Sequence, residues 1–173
     1  MIRKILIIGL SLIIIGVGGT AFFLYKTRKM NEESWNKIHI AQAMIEAEDY
    51  QGAVNHLLPV VQLGKKFEAA DVALYTLAQA YEGAGSSESH ILWKRLVEDF
   101  PDSPFHDEAR LSQAQSLVKK EPAQAQGLFK ELAKEAKADV RDTALLGLAK
   151  AYEAEHKIDD ARALYYDVIE SAT

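Results

Sequence analysis

Ala53, Ser89, Ala125 and Ala161 stand 36 positions apart in this 173-residue chain. Each is followed after four residues by a bulky group (Leu57, Trp93, Phe129, Tyr165) and after seven by another apolar one (Val60, Leu96, Leu132, Val168). Twelve positions in one register leave few folds open, because self-similarity at a fixed period is the mark of stacked repeats. From Asn31 onward apolar residues recur three and four apart with no strand-like alternation, so each repeat is built of helices. The small residue lets two helices approach closely, and the bulky group one turn later fills the space beside it. A second set answers the first: Ala41, Ala78, Ala114 and Ala149, preceded by Ile40, Leu77, Gln113 and Leu148 and followed three residues on by Met44, Tyr81, Leu117 and Tyr152. The expected fold is all-α, an α-solenoid of about four helix pairs.

The segment in front answers to a different solvent. Ile5 to Tyr25 is 21 residues without a charge, roughly 30 Å as a helix and so as long as a bilayer core is thick. Phe22, Phe23 and Tyr25 close it where aromatic rings favour the interface, and Lys26, Arg28 and Lys29 stop it. The expected organisation is a transmembrane anchor over 1–29 and a helical-repeat domain over 30–173. A cleaved signal peptide is the competing reading, since Arg3 and Lys4 precede the run and Gly19-Thr20-Ala21 resembles a cleavage site; the apolar character nevertheless runs on to Tyr25 and a basic cluster. Basic residues flank both ends. Counting them leaves the domain in the cytosol, whereas a short basic N-terminus leading straight into an apolar run exports the domain behind it, and the export reading is favoured.

Beyond residue 29 lie 15 of the 20 basic residues and all 25 acidic ones, a net charge of −10. Such a surface repels phosphate backbones, which argues against nucleic acid as a partner. There is no cysteine, so disulfides, thiolate nucleophiles, Cys-ligated metals and a lipidated-Cys anchor are excluded. The five histidines (His39, His56, His90, His106, His156) form no H-x-x-x-H or H-E-x-x-H pair. Glu46, Glu48 and Asp49, like Asp159 and Asp160, read as helix-end solvation and capping rather than paired catalytic acids. Gly83 and Gly85 lack the strand before and the Lys-Ser/Thr after that a phosphate loop needs. No catalytic, cofactor-binding or metal residue is expected, and the chain is read as a non-enzyme.

The repeat resembles the tetratricopeptide repeat, a helix–turn–helix unit of some 34 residues with a Leu-small pair, an aromatic, a small residue, a second aromatic and a terminal Pro. Leu148-Ala149, Tyr152, Ala161 and Tyr165 match it most closely, and Leu77-Ala78, Tyr81, Trp93 and Pro101 come next. The departures are Gln113 for an apolar residue, Ser89 for Ala, Pro59 inside a second helix, and a small-to-small spacing of 11 instead of 12 in the second and third units, which predicts shorter turns there. Gly83-Ala84-Gly85 and Glu121-Pro122 mark turns, with Pro122 opening its helix. The segment from Phe100 to Phe105 and Asp107-Glu108-Ala109 resembles a junction of tetratricopeptide proteins of the bacterial envelope, in which Ser103 would cap the next helix and Pro104 start it. Together with the anchor, this resemblance implies a single-pass inner-membrane protein with a periplasmic domain, associated with secretion or envelope assembly.

Repeats of this kind present a concave surface lined by their first helices. In the present register that groove takes Ile38, Tyr75, Leu111 and Leu146, one turn before the small positions, and Gln42, Gln79, Gln115 and Lys150 just after them. Apolar groups alternating with amides suit a peptide or a partner helix. Packing against neighbouring helices is the alternative use of the apolar set. Only Lys150 is cationic among the eight, which argues against recognition of acidic tails. No polar capping helix comes after the fourth pair, so a partner or another copy is expected to cover it, making a homo-oligomer, unless the chain continues in a longer one. The function read from these features is a membrane-anchored scaffold or chaperone-like accessory; the alternative is an anchoring module for a cell-wall-acting or other enzyme.

Overall fold

The structure, a computed structural model, describes the backbone of residues 2–86, 88–135 and 138–171 and the side chains of 16–86, 88–134 and 140–170. The described helices are α1 (Ile2–Glu46), α2 (Tyr50–Val61), α3 (Ala70–Gly83), α4 (Ser89–Asp99), α5 (His106–Leu117), α6 (Pro122–Glu135), α7 (Ala138–Ala154) and α8 (Ile158–Ser171), with a short 3-10 turn at Gly64–Lys66. Each packs on the next, and the first helices of adjacent pairs also touch, α1 on α3 and α5 on α7. This is a solenoid of four helix pairs, and the 36-residue register places its core. Ala41, Ala53, Ala78, Ala114, Ala125 and Ala149 have no exposed surface, and Ser89 and Ala161 are buried as well. Leu57, Trp93 and Phe129 fill the spaces beside them; Tyr165, the fourth of that set, is only half-buried, because α8 packs on α7 with no helix beyond it among the described residues.

The core falls into two clusters. One runs from Ile38 to Ala109 and the other from Ala114 to Ala151, so the division lies inside α5. There Gln113 occupies the position that is Leu77 in α3 and Leu148 in α7, and it is buried. A polar side chain in an apolar slot is where two apolar clusters would be expected to part.

α1 is one helix of 45 residues, and its backbone does not break where residue 30 was expected to divide anchor from domain. From Met30 it joins the repeats: Ser34, Ile38 and Ala41 are buried, Trp35, Met44 and Ile45 pack against the core, and Asn31 Oδ1 accepts a hydrogen bond from Glu68 N at 3.3 Å. Residues 16–26 are exposed all round the helix, including Val17, Phe22, Phe23, Leu24 and Tyr25. The side chains of the expected span before Gly16 lie outside the described residues. Among the described residues no helix is long and apolar enough to cross a membrane.

Local chemistry sets the turns. Asp49 caps α2 by accepting from Gly52 N at 2.9 Å, and Asp159 and Asp160 sit in the first turn of α8. α1, α3 and α7 end alike: Asp49 N donates to Met44 O, Ser86 N to Tyr81 O and Lys157 N to Tyr152 O, around Glu48, Gly85 and His156 at φ 59°, 67° and 60°. These are Schellman endings with a left-handed residue seven positions after each small Ala. α5 ends without one, and Pro122 opens α6 as its sequence suggests. Pro59 lies inside α2, which ends two residues later at Val61.

Two turn expectations are corrected. The second and third turns are longer than the others, spanning 84–88 and 118–121 against 47–49 and 155–157. In the second unit α4 starts on the small residue Ser89 itself, whereas α2 and α6 start three residues before theirs; in the third unit α5 ends three residues after Ala114, whereas α1, α3 and α7 run on for five. Ser103 does not cap α5, and Pro104 does not open it. The helix begins at His106, while the Ser103 hydroxyl accepts from Phe105 N at 3.3 Å and donates to Asp71 Oδ2 on α3 at 2.7 Å, pinning the junction to the preceding pair.

Candidate partner-binding groove

The first helices α1, α3, α5 and α7 carry the eight groove positions, and their neighbours decide which of them face out. Ile38 is 0% exposed and belongs to the core, so it cannot meet a partner. Gln42 is half-buried and pairs with His39, its Oε1 3.3 Å from His39 Nδ1. Leu111 packs against the second core cluster. For these apolar positions packing is the use the fold makes of them.

Tyr75 and Gln79 form a bridge instead. The Tyr75 hydroxyl donates to Glu108 Oε1 on α5 at 2.5 Å and accepts from Gln79 Nε2 at 3.0 Å. Its ring stacks on Phe105 with centroids 4.4 Å apart and meets Trp93 edge-on at 5.5 Å. Burial, then the hydrogen bond to Glu108 and that carboxylate's charge, push the phenol well above its ordinary range, so Tyr75 stays a neutral donor. These contacts tie the N-terminal ends of α3 and α5 together. Elsewhere α3 and α5 do not pack directly on each other in the way α5 and α7 do.

Towards the other ends of these helices a cleft of about 640 Å³ opens, lined on one wall by Glu82, Gly85, Ser86 and Ser89 and on the other by residues of α5, the turn after it and α7. The volume is that of an ordinary ligand site. Of the eight expected residues it brings together Gln115, Leu146 and Lys150. Leu146 is 37% exposed, and Gln115 and Lys150 are exposed. Close helix packing shapes the floor: a Cβ on Gly147 would lie 2.3 Å from Phe129 Cε1, so only glycine lets α6 and α7 meet there.

Lys119, Lys120 and Glu82 also line the cleft, and none of them stood among the expected positions. Lys119 and Lys120 stand in the turn that follows α5, beyond the helical register from which the groove positions are read, so no helix spacing marks them. On the cleft they join Lys150, the one cation among the eight expected positions. Glu82 remains exposed by surface area, but crowding of its carboxylate raises its pKa; the nearby Trp93 indole N–H opposes the shift. That N–H is buried and reaches no acceptor in full hydrogen-bond geometry, so its pull is weak. Among the described residues no group of His, Asp and Glu could hold a metal ion.

Two solved structures resemble this one: the nearly identical TPR-like repeats of a protein from Podosopora anserina assigned as a kinesin light chain, and a variant of the same repeats. Each aligns with a TM-score of 0.69 at 21% identity over 79% of this chain, covering 73% and 74% of the other chains. The chain therefore has a tetratricopeptide-like helical-repeat fold. No protein-family model and no curated protein matches the sequence.

Proposed function

We propose that this chain is a membrane-tethered interaction module that binds a protein partner in the cleft between α3, α5 and α7 and carries no catalysis of its own. The observation that carries the reading is α1. Its stretch from Val17 to Tyr25 exposes apolar groups on every side, about two thirds of the surface of Phe22, Phe23, Leu24 and Tyr25, and runs without a break into the packed helix of the first pair. A helix apolar all round is stable only where something apolar surrounds it. With the 21 uncharged residues of the sequence, a bilayer is the natural surrounding. The partner side rests on the repeat fold and on Gln115, Leu146 and Lys150, which meet in an open cleft. In this reading the protein sits in a bacterial inner membrane with its repeats in the periplasm, as a scaffold or chaperone-like accessory of an envelope or secretion complex.

Carbonate extraction of membranes, with an alkaline-phosphatase fusion after Thr173, tests the tether and its side. Retention in the pellet and an active fusion are expected; release into the supernatant overturns the tether, and an inactive fusion overturns the periplasmic side. A second reading, an anchoring or oligomerising module for an enzyme, draws on α8, where Ile158, Tyr166 and Ile169 stay exposed. A stoichiometric enzyme recovered on that helix would favour it.

A further inference from the structure

We infer that the cleft between α3, α5 and α7 receives a segment of the partner protein rich in Asp and Glu, gripped by Lys119, Lys120 and Lys150. This deepens the groove reading above and rests on it. The charge pattern of the repeats points there. The domain beyond residue 29 carries a net charge of −10, and many of the chain's cations are spoken for: Lys29 by Glu33, Lys65 by Asp99, Lys94 by Glu98 and Lys157 by Glu155. Lys119, Lys120 and Lys150 make no ion pair with a described residue, although acidic groups outnumber basic ones around the molecule. Three like charges on one concave wall repel one another, and an anionic occupant relieves that repulsion while supplying electrostatic complementarity.

The remaining lining selects among anions. Val118 and Leu146 make the same wall partly apolar, and Gln115 and Ser86 offer side-chain hydrogen bonds for a peptide main chain. A phosphate backbone would leave these apolar groups unused. The opposite wall gives the segment a direction. It carries Glu82, whose negative charge disfavours carboxylates. Acidic side chains of the occupant therefore face α5 and α7, and its neutral or basic residues face α3.

Selection of random octapeptides on the full chain in phosphatidylcholine nanodiscs tests this. Three proteins are compared: the wild type; a cleft variant with Lys119→Gln, Lys120→Gln and Lys150→Gln; and a control with Lys66→Gln, Lys94→Gln and Lys134→Gln, which removes the same charge elsewhere. Peptides selected by the wild type should be enriched in Asp and Glu, and by anisotropy should bind the cleft variant about tenfold more weakly than the control. The three cleft lysines are not buried, so the cleft variant should keep the wild-type unfolding midpoint. Selected peptides without acidic enrichment, no selected peptides, equal weakening in both variants, or displacement by inorganic phosphate at constant ionic strength would each overturn the inference. Neutral peptides whose binding is abolished by Leu146→Asp would remove the acidic preference and leave the groove reading standing.

Discussion

Phe129 is fully buried because Gly147 vacates the space its ring needs. Gly147→Ala should lower unfolding stability by about 1–2 kcal/mol in urea titrations, since overpacking at that contact outweighs the gain in helix propensity. At His156 the left-handed backbone asks for glycine and receives a bulky side chain. His156→Gly should raise stability by about 0.5 kcal/mol in the same titration, relief of the φ strain exceeding the entropy of the more flexible unfolded chain. Glu82 has a pH signature. Its folded pKa lies above the ordinary 4.5, so the folded state holds the proton longer than the unfolded chain does. Its contribution is then full below about pH 4.5 and is lost as pH rises through the raised value. Glu82→Gln should flatten that slope, most visibly just above pH 4.5, and should leave the protein more stable than wild type at pH 7. Residue by residue, the small positions were legible because burial follows their period. Ile38 was misplaced because a position three residues before an Ala faces either a groove or a core, and the neighbours that decide it are far away in sequence.

The elements were legible wherever the signal is local. Pro122 opens α6, Asp49 caps α2 and Gly85 ends α3, each by a contact within a few residues. Ser103 was misread because its hydroxyl donates to Asp71, 32 residues away, and no short-range pattern announces such a bond. The turns were misjudged for a related reason: register fixes where the small residues sit, not where the hydrogen bonds of a helix begin. α1 offers a test at this scale. Because residues 16–26 are exposed and packing on the repeats begins at Met30, a break at Lys26 should be felt only locally. Lys26→Pro removes a helix hydrogen bond at a local cost of about 3 kcal/mol. Yet unfolding of the repeats, monitored by Trp35 and Trp93 fluorescence, should shift by less than about 0.5 kcal/mol. A larger shift would mean that the exposed stretch packs on the repeats after all.

Across the whole molecule the two core clusters meet at Gln113, and the Tyr75–Glu108 bridge spans the same junction from the concave side. The cleft opens just beyond it, where α3 and α5 cease to be held together. The period of the sequence foretold the solenoid, but not this opening, because an opening depends on which first helices touch. It also hid Lys119 and Lys120, which lie outside the positions a repeat-by-repeat comparison aligns. In the reading proposed above, a protein partner binds in this cleft rather than on the outer surface. A photo-crosslinking amino acid placed in cells at Leu146, inside the cleft, and separately at Ile91, which is 56% exposed on α4 and outside it, measures that claim directly. A discrete crosslinked protein is expected at Leu146, absent at Ile91 and lost with the three lysine substitutions. The same product at both sites, or a product at Ile91 alone, would contradict it.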